Sequence, residues 1–361
     1  MDTAGRTGGS ISARIRAEIL ASGPLRFDRF MDLALNGAGG YYERPPVGPA
    51  GDFVTSPHVH PIFGALLARG IRELWDHLER PDPFRLVEIG GGDGTLLRHL
   101  LDHLGDLPLE VRAVEASAGA RDALREILGV EVVEAVGDEP HLVLGHELLD
   151  NLPFRLLRGG KEVHVGLEGD RFVRVELPAG RDLPTEADRV ARTVPDAAEE
   201  IAVPTGAVGM IEDLARVIRH GYALFVDYGG DAGGGGRVHG YRGHRPIEDV
   251  LAEPGTADIT AGVDFGLLAD AAVAGGLQAF PSVSQRRALA ALGFEAWMRD
   301  ELTTQGSLLN RGEGMEAVRR WAGRSRASIL VDPAQLGRLR WFVLASPGLP
   351  RPSFLEPEPI A

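Results

Sequence analysis

The sequence predicts an α/β fold, a doubly wound sheet with an N-terminal helical extension and an inserted antiparallel-strand and helical segment. Three observations carry this expectation. Strand and helix patterns alternate from Phe84 to Leu144 and resume at Tyr222, as expected of a parallel sheet covered by helices on both faces. A glycine-rich turn, Gly90 to Gly94, joins the first of those strands to a helix. Between Phe154 and about Arg219 the alternation gives way to runs with period two, turning at Gly159-Gly160 and Gly169-Asp170, which read as a hairpin or meander followed by a helical stretch.

In chain order, Ile11 to Leu35 reads as two helices broken at Ser22-Gly23-Pro24, and Asn36 to Asp52 as a Gly- and Pro-rich loop. Ile62, Leu66, Ile71, Leu74, Trp75 and Leu78 place a helix over 61–78. Strands follow at Phe84–Ile89, Leu109–Val114, Val130–Val136 and His141–Leu144, with helices at Thr95–Leu104 and Ala118–Leu128. Beyond the insertion come a strand at Tyr222–Val226, a flexible glycine-rich loop at Gly229–Gly236, a helix at Val263–Ala274 and a last strand at Leu339–Leu344. Pro347 to Ala361 is Pro-rich and reads as a loose tail. The implied boundaries are 1–80 for the extension and covering loops, 81–153 for the first half of the core, and 154–220 for the insertion. The remaining core then spans 221–346, and the tail 347–361.

Composition narrows the chemistry. The 361 residues contain no cysteine, which excludes disulfides, Cys-ligated zinc, iron–sulfur clusters and thiol catalysis. Lys161 is the only lysine. A net charge of −14 argues against nucleic-acid or anionic-membrane partners. No run approaches a membrane span and no targeting signal is visible, so the chain is expected to be cytoplasmic. His58 and His60, flanked by Pro57 and Pro61, lack a third ligand at metal-binding spacing, so no metal is expected.

The turn Glu88-Ile89-Gly90-Gly91-Gly92-Asp93-Gly94-Thr95 has glycines at 90, 92 and 94. A nicotinamide site prefers a third glycine at 95, where this chain has threonine. The arrangement suits S-adenosylmethionine better, since that cofactor has no pyrophosphate. Glu88 could hold its ammonium, and Glu115, at the tip of the second strand, its ribose hydroxyls. Ligands of such sheets sit beyond the carboxyl ends of the strands, which places His146, Glu147 and Asp150 beside the methyl donor. Loops around Tyr42, Asp52 and Thr55 are further wall candidates. A guanidinium acceptor would suit Glu147 and Asp150, whereas a hydroxyl or carboxylate acceptor would make His146 a general base. Asp264 reads as a helix cap and Asp258 as a turn end.

At these residues the chain resembles the MidA-like methyltransferases. The matching blocks are Gly40-Tyr41-Tyr42, Gly51-Asp52-Phe53 with Thr55, Phe63-Gly64, the Glu88 to Thr95 turn, and Glu147 with Asp150 to Pro153. Val226-Asp227-Tyr228-Gly229, Tyr241-Arg242-Gly243-His244, Ala257-Asp258-Ile259-Thr260 and Val263-Asp264-Phe265 complete the set. The resemblance implies a Rossmann-like methyltransferase sheet, S-adenosylmethionine as cofactor, and protein methylation with arginine as the acceptor. It implies cofactor contacts from Asp52 and Thr55 and substrate contacts from Tyr42, Tyr228, Tyr241, Arg242 and His244. His146 stands where the family usually has asparagine, and His58 where it usually has an acid. The remaining alternatives are a peptide or small-molecule acceptor in a biosynthetic pathway, and a non-catalytic assembly factor. The amphipathic N-terminal helices need a partner face, which is compatible with the assembly-factor reading; a homodimer is a further expectation.

Overall fold

A computed structural model describes residues 11–43, 55–180, 183, 200–231, 236–243 and 245–356. Its centre is a seven-stranded sheet whose strands, in chain order, are β1 (Phe84–Ile89), β2 (Leu109–Val114), β3 (Val130–Val133), β4 (Leu142–His146), β5 (Tyr222–Asp227), β6 (Gln278–Ser284) and β7 (Arg340–Ala345). Across the sheet the order is β3-β2-β1-β4-β5-β7-β6. β3, β2, β1, β4 and β5 run parallel, and β7 lies antiparallel between β5 and β6. Covered on both faces, β5 is buried at every position, which explains its uninterrupted apolar run. The strand order reverses between β1 and β4, and a crevice opens there at the carboxyl ends.

Helices Ile62–His77 and Thr95–Leu104 cover one face, with Phe63, Leu67, Leu97 and Leu100 in the main core. Helices Thr205–Val217 and Phe265–Ala274 cover the other, through Ile211, Leu214, Phe265 and Leu268. Thr205–Val217 is thus the crossover helix between β4 and β5 rather than part of the insertion. Gly94 caps Thr95–Leu104 at φ +76°, and a Cβ there would lie 2.5 Å from Ile127 Cδ1. Gly94→Ala is therefore expected to destabilise the fold by about 1–3 kcal/mol, read as a lower denaturation midpoint at unchanged m-value.

The two N-terminal helices, Ile11–Ser22 and Phe27–Asn36, find their partner face within the chain. Ile15, Phe27 and Phe30 form one core with Phe154 and with Leu156, Val163 and Val165 of the inserted antiparallel strands Arg155–Arg158 and Lys161–Glu168. Between the helices, Leu25–Arg26 adds a short strand to the inserted sheet, Leu25 opposite Val165. Extension and insertion are one structural unit, which their separation in sequence concealed.

Several elements differ from expectation. The helix after β2 stops at Arg125 and β3 at Val133. Val263–Asp264 is a short strand, and the helix begins at Phe265, where Asp264 accepts a hydrogen bond from the Leu267 N–H. A small sheet of Val238–Arg242, Arg245–Ile247 and Asp258–Ala261 was not foreseen. Neither were β6 and the helices Gln285–Ala291, Phe294–Asn310 and Gly314–Ala327. The tail is not loose over 347–356, because Phe354 and Leu355 are buried and the Phe354 ring packs on Trp341. Among the described residues no helix is long and apolar enough to cross a membrane.

Candidate active site

A cavity of about 860 Å³ opens at the carboxyl ends of β1, β2, β4 and β5. Gly90, Gly92 and Glu115 line one side of it, and Glu147, Asp150 and Asp258 are among the residues lining the rest. Thr55, Tyr42, Tyr228 and Tyr241 also contribute. Topology and side-chain chemistry thus converge on one place.

Gly90 and Gly92 adopt φ +72° and +54°, a region where a Cβ is strained. A Cβ at Gly92 would meet nothing within 4 Å, so this part of the turn is bare toward a ligand. Glu115 accepts from the Gly92 N–H at 3.1 Å and the Ser117 N–H at 2.8 Å. Each oxygen keeps a lone pair for a ligand hydroxyl. Asp93 fastens the turn to its cover. It accepts from the Thr95 N–H and lies 2.9 Å from His58 Nε2, while His58 Nδ1 lies 2.9 Å from the Thr55 hydroxyl. Burial opposes ionisation of Asp93, but hydrogen bonds from His58 and Thr95 outweigh it and lower the carboxyl to about 2.

Glu88 sits beneath the turn, not on the cavity wall. It is 2% exposed, its Oε2 has no partner, and a Cβ on Gly91 would lie 2.9 Å from that oxygen. Burial, then the charges of Glu115 and Asp93, push it up to about 8. The expected carboxylate contact with the cofactor ammonium is therefore not what the structure shows. Because the folded-state value is raised, the stability that protonated Glu88 contributes is full below the ordinary glutamate value and is lost as pH rises through about 8. The melting temperature should accordingly fall between about pH 5 and 8, level off above that, and fall less in Glu88→Gln.

The acid wall is built at the end of β4. Glu147 has φ +50°, rare for a residue with a side chain, and its N–H donates to the Val226 carbonyl. Asp227, at the end of β5, holds this turn from behind. Its Oδ2 accepts from the Leu148 N–H at 2.9 Å and the Leu149 N–H at 2.6 Å, and its Oδ1 from the Tyr228 N–H at 2.8 Å. The turn thereby places Glu147 and Asp150 in the cavity lining, and one oxygen of each, Glu147 Oε1 and Asp150 Oδ1, is buried without a hydrogen-bond partner. Burial and the Asp227 charge push Glu147 up to about 8. Asp150 is raised by burial and by Asp227, Asp258 and Glu147. Asp227→Asn should lower turnover about tenfold or more, because an amide cannot accept all of these N–H groups. Cofactor affinity should be unchanged, as calorimetry would check.

Asp258 belongs to this wall, although the sequence marked it only as a turn end. It accepts from the Tyr42 hydroxyl at 2.7 Å, and that hydroxyl in turn accepts from the Asn151 amide at 2.7 Å. Arg338 also lines the cavity and had no signal in the sequence. Two expected participants stand elsewhere. His146 is outside the lining, packed on Phe63 with ring centroids 5.2 Å apart, and burial lowers it to about 3. That corrects its reading as a general base, since a group so reluctant to take a proton is poorly matched to neutral pH. Arg242 is outside the lining and engaged by Glu253 at 2.6 Å and Thr256 at 2.5 Å. Gly94 shapes the helix start and does not line the cavity. Asp52 and His244 lie outside the described residues. His60 packs on Trp297 while His58 meets Asp93, and no metal-binding group of three ligands occurs among the described residues.

These features fit S-adenosylmethionine: a bare glycine turn, a carboxylate at the tip of β2, and a cavity large enough for a cofactor with its acceptor. Known proteins agree. The Drosophila melanogaster mitochondrial protein arginine methyltransferase NDUFAF7 homolog is 29% identical, over 94% of this chain and 86% of its own. The Bos taurus mitochondrial protein arginine methyltransferase NDUFAF7 is 30% identical, over 70% of this chain and 66% of its own. These mitochondrial names overturn the cytoplasmic expectation, which had rested on missing signals alone. A Burkholderia thailandensis crystal structure with S-adenosylhomocysteine bound superposes with a TM-score of 0.82 at 26% identity, over 96% of this chain and 94% of that one. The profile of the S-adenosyl-L-methionine-dependent methyltransferase family Methyltransf_28 matches residues 66–283, more than half of the chain, and the protein belongs to that family.

Proposed function

We propose that this methyltransferase acts on an arginine side chain of a protein or peptide, at a guanidinium nitrogen. The observation that carries the reading is the pair of carboxylates that line the cavity, Glu147 and Asp150, each with one buried oxygen that lacks a hydrogen-bond partner. Such oxygens are costly unless a ligand supplies N–H donors, and a guanidinium offers five in a planar fork. The relatives named as protein arginine methyltransferases support the same acceptor.

When bound, S-adenosylmethionine supplies a methyl group on a sulfonium, which takes up the carbon–sulfur bonding pair as the methyl leaves. The chain's own residues do the rest. Glu147 and Asp150 orient the guanidinium and localise electron density on the attacking nitrogen. Asp227 keeps both acids in place through the backbone. Glu147, raised to about 8 by burial and Asp227, takes up the proton that the nitrogen releases. Tyr42 and Tyr228 help to line the chamber.

The reading is tested with methyl-labelled cofactor and arginine-containing peptides or a protein extract, followed by acid hydrolysis. Label recovered in methylarginine is the expected result. Label in base-labile esters or small molecules, or in nothing, would overturn it.

A further inference from the structure

Arg338 stands apart from the other charged groups around the cavity. It closes the short turn Leu336–Arg338 just before β7, beyond the stretch matched by the family profile. Its guanidinium carbon lies 5.4 Å from the centroid of the Tyr228 ring, and both residues line the cavity. Among the described residues it is the one arginine or lysine that does so, beside the acids Glu115, Glu147, Asp150 and Asp258.

No acid among the described residues pairs with it, and its recorded side-chain contact is the Tyr228 ring. Nearby arginines behave differently. Arg340 donates to Asp231 and Ser282 at 2.9 Å each, and Arg242 is held by Glu253 and Thr256. A guanidinium stacked on an aromatic ring has one face covered while its N–H edge stays available. That edge matches a carboxylate in a two-pronged arrangement. The other carboxyl-bearing residues of the lining, Glu115, Glu147, Asp150 and Asp258, would oppose a carboxylate that entered without such a cation.

We infer that Arg338 is a carboxylate-binding residue of the active-site cavity, taking either an acidic side chain beside the acceptor arginine or the amino-acid carboxylate of the cofactor. The first source rests on the arginine-acceptor reading, and the second does not. Arg242, to which the resemblance gave a substrate contact, is instead held by Glu253 and Thr256, and the cavity has Arg338 in its lining.

The test compares the unsubstituted chain with Arg338→Ala and Arg338→Lys. One arm measures KM for an arginine peptide flanked by glutamates and for its glutamine-flanked counterpart. The other measures Kd for S-adenosylhomocysteine and for methylthioadenosine, which lacks the amino-acid carboxylate and serves as the folding control. If the acceptor supplies the carboxylate, Arg338→Ala raises KM about tenfold for the glutamate-flanked peptide only. If the cofactor supplies it, Kd rises about tenfold for S-adenosylhomocysteine and not for methylthioadenosine. Arg338→Lys should restore part of either effect, since it keeps the charge but not the fork. Equal losses for both members of each pair, or no change in any measurement, would overturn the inference. If the unsubstituted chain methylates no arginine peptide, the acceptor reading fails by itself and the nucleoside pair alone decides the Arg338 site.

Discussion

Glu147→Gln is expected to lower kcat by about 100-fold or more, the range associated with loss of a proton-accepting and orienting group. S-adenosylhomocysteine should bind the variant as it binds the unsubstituted chain, because Glu147 is at the end of β4 while Glu115 and the glycine turn lie at β1 and β2. Calorimetry and single-turnover kinetics separate the two effects. The pH profile is the sharper readout. The groups facing Glu147 are Asp227, Asp150, Tyr228, His146 and the Ser56 N–H. Burial and Asp227 push its carboxyl up to about 8, while the Ser56 N–H opposes the rise. Only the ionised form accepts hydrogen bonds from a cation and takes its proton. In the unsubstituted chain kcat/KM should therefore rise with pH and level off near 8. Glu147→Gln should lose that limb. A limb unchanged in the variant would assign it to another group and remove Glu147 from the chemistry.

Glu115→Ala is expected to weaken cofactor binding by about 10- to 100-fold, the scale of hydrogen bonds to a charged acceptor. Two effects combine in this loss. The ligand hydroxyls lose their acceptor, and the Gly92 and Ser117 N–H groups lose theirs as well, so the turn is less well fixed. Glu115→Gln should fall between, since it keeps one oxygen for the backbone and removes the charge. Kd by calorimetry checks the series, and equal binding by all three proteins would remove Glu115 from the cofactor site.

The core was legible where a local pattern coincided with a tertiary role. β5 is a continuous apolar run up to Asp227 because both sheet faces are covered, β2 alternates apolar residues with Glu110 and Arg112, and the glycines at 90, 92 and 94 mark backbone that must turn with φ positive. Glu115 was legible from its distance along the chain, which the βαβ unit dictates. The helices at 285–327 were not. Their apolar residues include Leu302, Leu309, Met315, Val318 and Trp321, all more than half exposed, and such helices bury no clean stripe for a periodicity to report. β6 was concealed by Pro281 and by its register shift between Phe280 and Val283.

By itself, the sequence determined the class of fold, the cofactor and the acids at the end of β4, because glycines in a strand-to-helix turn and residues at strand ends keep their meaning in any doubly wound sheet. Only the tertiary structure decided how those acids behave. Asp227 is 77 residues from Asp150, yet it sets the turn that carries it and raises its affinity for protons. Asp258 reaches the same cavity from a block in which it read only as a turn end, and Arg338 from a segment with no motif of its own, while His146 and Arg242 are drawn away by Phe63 and Glu253. Local pattern reports which backbone can form. Burial and the company of distant charges decide which side chain meets the substrate and which holds its proton.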